Sequence, residues 1–136
     1  MEKRLFELII QIRKKCLQTE EKIRSELRMT PGEFNGLLSI EPGEKVLGAA
    51  FSQRMGLSAS RGSRVIGRML KSGFIDLEQV PDDRRAVEAS LTREGIAMQK
   101  RLMARMGECE ERILSQLDDA MARNIREALT ALVDVM

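Results

Sequence analysis

The stretch from Gly56 to Gly95, GLSASRGSRVIGRMLKSGFIDLEQVPDDRRAVEASLTREG, constrains the fold more tightly than any other part of the chain. Ser58 is suited to cap a helix running to about Ser72, and Gly73 closes it just past its C-terminus. Ile75, Leu77 and Gln79 then alternate with Asp76 and Glu78, V-P-D-D turns the chain, and Val87, Ala89 and Leu91 alternate with Glu88 and Ser90. A period of two on both sides of a Pro-Asp turn predicts a two-stranded hairpin with Arg84 and Arg85 at its tip. Upstream, GAAFSQRM (48–55) reads as a short helix stopped by Gly56. Two helices meeting at a tight glycine turn form a helix-turn-helix, and a hairpin directly after one is a wing. The expected fold class is mainly α with a small β-hairpin wing.

The charge pattern singles out the same region. Residues 45–75 carry Lys45, Arg54, Arg61, Arg64, Arg68 and Lys71 and no acid, although the whole chain has a net charge of only +2. Residues 1–44 are balanced and residues 76–136 are acidic. A basic block between a neutral and an acidic segment is the footprint of a polyanion-binding face. Arg61, Arg64, Arg68 and Lys71 recur at steps of four, four and three, which places them on one side of the second helix.

The flanks read as long helices. Leu5, Leu8, Ile9, Ile12, Cys16, Ile23 and Leu27 form a stripe at helical spacing over about residues 3–28. T-P-G-E at 30–33 is a capping box with proline at the first helical position, followed by Phe34, Leu37 and Leu38 as a buried side, and E-P-G-E at 41–44 ends that short helix. After the wing, Thr92 caps a long helix with Glu94 in its first turn and Leu102, Met106, Cys109 and Ile113 on its seam. A last helix from about 118 shows Met121, Ile125, Leu129 and Leu132 or Val133. Stripes of this length at near-heptad spacing are best covered by each other and by a second copy of the chain, so a homodimer is expected.

Absences narrow the function. The chain has no His, Tyr or Trp. Ser–His and Cys–His nucleophile pairs are therefore impossible, and no Gly-rich phosphate loop is present, so an enzyme is not expected and no catalytic residue is assigned. Two cysteines 93 positions apart offer no metal spacing and no disulfide framework, which fits a reducing cytosol. The first residues, MEKRLFELIIQIRKK, do not read as a signal peptide, and no apolar run approaches a membrane span. A cytoplasmic protein needing no cofactor or metal is expected.

With these elements in place, the chain resembles the multiple-antibiotic-resistance-regulator (MarR) family of winged-helix transcription factors. The resemblance spans nearly the whole sequence and is most specific in MGLSASRGSRVIGRMLKSGFI followed without a gap by DDRRAVEASLTREG. The family's wing signature, Asp-x-Arg then Leu-Thr-x-x-Gly, falls on Asp83, Arg85, Leu91, Thr92 and Gly95. The Gly-Leu that ends its first motif helix falls on Gly56 and Leu57, and the glycine before the wing on Gly73. The resemblance implies one domain over 1–136, with dimerisation helices at 1–29 and 96–136 and a winged helix-turn-helix at 30–95. It implies a homodimer on a pseudo-palindromic duplex, regulating transcription as a repressor that a small organic effector relieves. Ser60, Arg61, Ser63 and Arg64 would face bases or phosphates, Ser58 and Lys71 would contact or orient toward phosphate, and Arg68 would belong to the same DNA-binding face. Arg85, beside Arg84, would enter the minor groove, oriented by Asp83 through an ion pair across the turn.

Several features depart from this pattern or leave choices open. Leu77 and Glu78 stand where relatives often carry basic residues. Gly62 and Gly67 lie inside the recognition helix, each costing about 1 kcal/mol relative to alanine. Either close packing or a degenerate DNA reader, in effect a winged-helix protein-interaction subunit, would account for them. Cys16 reads either as a small hydrophobe on the first stripe or, given Lys14 and Lys15 beside it, as a redox sensor in a redox-responsive repressor, although the tyrosines that assist such sensors are missing. Met98, Met103, Met106 and Met121 suit either an irregular core or an adaptable effector pocket.

Overall fold

The protein is described from a computed structural model covering residues 1–136. The chain falls into two compact units, residues 1–102 and 103–136. The first holds α1 (Leu5–Leu27), α2 (Pro31–Leu37), β1 (Val46–Leu47), α3 (Gly48–Arg54), α4 (Ala59–Lys71), β2 (Ile75–Val80), β3 (Asp83–Leu91) and the first turns of α5 (Arg93–Leu114). The second holds the rest of α5 and α6 (Asp119–Val135). No helix is long and apolar enough to cross a membrane.

Local chemistry sets the helix boundaries. Thr30 Oγ1 accepts from the Glu33 N–H, and Glu33 Oε1 accepts from the Thr30 N–H, closing the expected capping box at the start of α2. Ser58 caps α4, its Oγ accepting from the Arg61 N–H at 3.3 Å. Gly56 and Gly73 take positive φ of 70° and 81°, ending α3 and α4 where a side chain would be strained. Thr92 Oγ1 accepts from the Gly95 N–H at 3.0 Å and so starts α5.

The core of the first unit is built on Leu37, Phe51, Met69, Ile75 and Leu102, all fully buried. Leu38, expected on the buried side of α2, is instead exposed, because α2 ends at Leu37 and Leu38 already belongs to the turn. Two buried polar groups tie the elements together. Gln99 of α5 donates through Nε2 to the carbonyls of Leu37 and Ile40 at 2.6 and 2.7 Å, which satisfies the C-terminal end of α2. Glu33, only 4% exposed, accepts a second bond from the Ser72 hydroxyl, so the start of α2 is fastened to the end of α4.

The expected hairpin forms as β2 and β3, and β1 adds a third strand, giving an antiparallel sheet in the order β1-β3-β2. Val46 pairs with Ala89 and Leu47 with Glu88, so a two-residue segment before α3 protects the outer edge of β3. Between β2 and β3 the register is regular from Ile75↔Leu91 to Gln79↔Val87, then slips so that Val80 faces Asp83. Arg84, Arg85 and Ala86 therefore bulge out of the ladder next to the turn.

In the second unit, Asp118 caps α6 through a 2.7 Å bond from the Met121 N–H. The end of α5 and the length of α6 line an open apolar groove containing Ile113, Leu114, Leu117, Ile125, Leu129 and Val133. No residue of α6 is buried within the chain, and Val133 is 72% exposed.

Candidate nucleic-acid interface

The helix-turn-helix is α3 and α4, and its packing explains one of the two glycines inside α4. A Cβ on Gly62 would lie 1.9 Å from Ser52 Oγ and 2.4 Å from Ser52 Cβ. Gly62 is thus the point where α4 presses on α3, and close packing is the reason for it. Gly62, Ile66 and Met69 form the buried side of α4.

The opposite side is cationic. At about 100° per residue, Arg61, Arg64, Arg68 and Lys71 fall within a sector of about 80°, with Ser60 and Ser63 on its flank. All six are exposed. None of the four cations forms an ion pair within the chain. The rest of the basic block is engaged elsewhere. Arg54 grips Glu44 with two bonds of 2.7 and 2.8 Å and also donates to the Ser39 carbonyl. That guanidinium lowers the Glu44 carboxyl from an ordinary value of 4.5 to about 2. Lys45 lies 3.7 Å from Glu78 on β2. Of the six basic residues between 45 and 75, only the four on α4 keep their charge unpaired and facing outward.

The wing contributes the second cluster. Arg84 and Arg85 are exposed beside the turn, where Asp82 takes a positive φ of 70°. Asp83 does not form the expected ion pair with the Arg85 guanidinium. Its Oδ1 accepts from the Arg85 backbone N–H at 3.0 Å, an Asx-type turn. Asp83 therefore orients the wing tip through the main chain and leaves both arginine side chains free. On the strands Glu78 and Glu88 face each other across β2 and β3.

The remaining candidates separate clearly. Cys16 is exposed on α1, so the packing reading does not hold within one chain, because the stripe around it, with Ile12 and Leu17, is itself uncovered. Cys109 is half-buried, and both cysteines are free thiols. Met103, Met106 and Met121 are exposed, and the groove of the second unit includes none of them. No cluster of three or more His, Cys, Asp or Glu side chains is placed to hold a metal ion.

Sequence reasoning missed Glu33 and Gln99 as positioning groups. Glu33 was visible as a capping residue, but its bond to Ser72 joins positions 39 apart and has no local signal. Gln99 is one polar residue in an amphipathic helix, which any exposed glutamine resembles.

Comparison with known proteins agrees with this architecture. Residues 29–86 match the sequence model of the MarR family. A MarR mutant from E. coli superposes with a TM-score of 0.83 at 19% identity, covering 98% of each chain. A MarR transcriptional regulator from Methanosarcina mazei Go1 gives 0.81 at 19% identity, over 96% of this chain and 94% of that one. A transcriptional regulator from Thermotoga maritima is 27% identical, with a TM-score of 0.64 over 98% of this chain and 95% of its own. No curated protein sequence matches. Residues 29–86 thus carry the sequence of the MarR family, and along its length the chain has the fold of these regulators.

Proposed function

We propose that the protein is a dimeric, sequence-specific DNA-binding regulator of transcription. The observation that carries this reading is the unpaired cationic face of α4, Arg61, Arg64, Arg68 and Lys71, in the same compact unit as the two free arginines of the wing tip. An α-helix fits the major groove, and arginine forks there pair with guanine edges. An arginine at a wing tip is suited to the strong negative potential of a narrow minor groove. Ser58 has its hydroxyl on the Arg61 N–H, so its part in phosphate contact is to hold the first turn of α4 toward the duplex.

Dimerisation is supported by apolar surface left open in each unit. On α1, Leu5, Phe6, Leu8, Ile12 and Leu17 are exposed, and on α6 Met121, Ile125, Leu129 and Val133. Exposed apolar stripes of this length mark an interface. Repression, and its relief by a small organic effector, come from likeness to the MarR family. Such an effector would act by shifting the population between DNA-competent and incompetent dimers.

Hydroxyl-radical footprinting on the duplex upstream of the protein's own coding region tests the reading. Two protected half-sites about 34 Å apart on one face of the duplex are expected. A single unpaired patch of protection would contradict the dimer, and no protection would contradict the reader.

A further inference from the structure

Gly67 is the second glycine inside α4, and nothing within the chain explains it. Unlike Gly62, it is exposed, and a Cβ built on it would meet no atom within 4 Å. Its φ is not positive, so an alanine would fit the helix without strain. A glycine in the middle of a 13-residue helix is less stable than alanine and here gains nothing from packing. Local rules are broken most often where function demands it.

The position of Gly67 suggests the demand. Its neighbours on the helix surface, three and four residues away, are Ser63, Arg64, Leu70 and Lys71. Two of these are cations without an intramolecular partner, and Ser60 lies two turns before Gly67 on nearly the same line. The bare backbone at 67 is therefore a shallow gap in the outward face, bordered by positive charge. Glycine is the residue that lets a ligand approach a main chain closely.

We propose that Gly67 is a contact position for the duplex, the place where a sugar-phosphate strand comes closest to α4, held by Lys71 one turn further on. This rests on the DNA-binding reading above and adds to it a residue that acts by lacking a side chain. A contact of this kind is made to the backbone of the duplex, so its loss weakens binding to every sequence alike.

The test compares wild type, Gly67→Ala and Gly67→Leu as full-length protein. Thermal denaturation is measured beside affinity for two duplexes, the protein's own upstream region and a mixed sequence. Gly67→Ala is expected to raise the denaturation midpoint by about 2–5 °C. The same variant is expected to bind both duplexes about tenfold more weakly, and Gly67→Leu more weakly still. Stability and binding moving in opposite directions is a signature that a purely structural glycine does not produce. If Gly67→Ala binds as tightly as wild type, the proposal is overturned while the DNA-binding reading stands. A lower midpoint for Gly67→Ala would also overturn it, by showing that the glycine serves the fold. Failure of the wild type to bind either duplex would remove the DNA-binding reading itself and this proposal with it.

Discussion

Reversing two charges, Arg61→Glu with Arg64→Glu, is expected to weaken binding to the upstream duplex by about a thousandfold or more while leaving the fold intact. Each good arginine–guanine pair is worth about 1–3 kcal/mol, so losing two removes about 4 kcal/mol before repulsion from phosphate is added. The log–log salt dependence should also flatten where these side chains neutralise phosphates, by about one unit for each phosphate left without its cation. Folding should be indifferent. Both side chains are exposed and neither forms an ion pair within the chain, and surface changes of that kind stay within about 0.5 kcal/mol. The cap that starts α4 uses the Arg61 backbone N–H, which the substitution keeps. A glutamate in the first turn even suits the positive end of the helix. Affinity measured beside a denaturation curve separates the two effects. Retention of binding within a few-fold would mean that α4 does not read the duplex, and would favour the protein-interaction reading.

The largest effect on stability is expected from Gly95→Ala. Thr92 and Gly95 sit where β3 passes into α5, and a Cβ at 95 would lie 2.0 Å from the Phe74 carbonyl oxygen and 2.9 Å from its carbon. That carbonyl cannot easily move, because it accepts from the Thr92 N–H at 3.0 Å and its own residue's N–H is bonded to the Met69 carbonyl. The Thr92 hydroxyl donates in turn to the Gly73 carbonyl. One added methyl therefore pushes against a backbone junction that joins the end of α4, both ends of the wing and the start of α5. Overpacking typically costs 1–3 kcal/mol and more against backbone, so a loss of about 3 kcal/mol is expected, lowering the denaturation midpoint by about 10 °C. An unchanged midpoint would mean that this junction is looser than its geometry indicates.

Gly95 also shows what was legible in the sequence. The Leu-Thr-x-x-Gly pattern marked the position, and the structure supplies its cause, the Phe74 carbonyl across the junction. Features governed by neighbouring residues were readable in the same way: the capping box of Thr30 and Glu33, the Ser58 cap, and the glycines ending α3 and α4. The cationic sector of α4 was readable because helical spacing alone defines it.

Features governed by distant partners were not. A two-residue strand such as β1 has no alternation to detect, so the third strand of the wing appears only when Val46 meets Ala89. Asp83 and Arg85 looked like an ion pair because their charges are opposite and close in sequence. The turn instead brings the carboxylate onto the main-chain N–H. Cys16 looked like core because a stripe in the sequence says which side of a helix is apolar, not what covers it. In the first half of α1 only Ile9 and Ile10 are half-buried, and Leu5, Phe6, Leu8 and Ile12 stay exposed.

The central claim is that α4 and the wing read DNA sequence. It is tested most directly by titrating the wild-type protein against its own upstream duplex and an unrelated duplex across a salt series. Binding is expected to be at least about a thousandfold tighter to the upstream duplex, with log affinity falling steeply against log salt for both. Absence of binding to either duplex at low salt would contradict it.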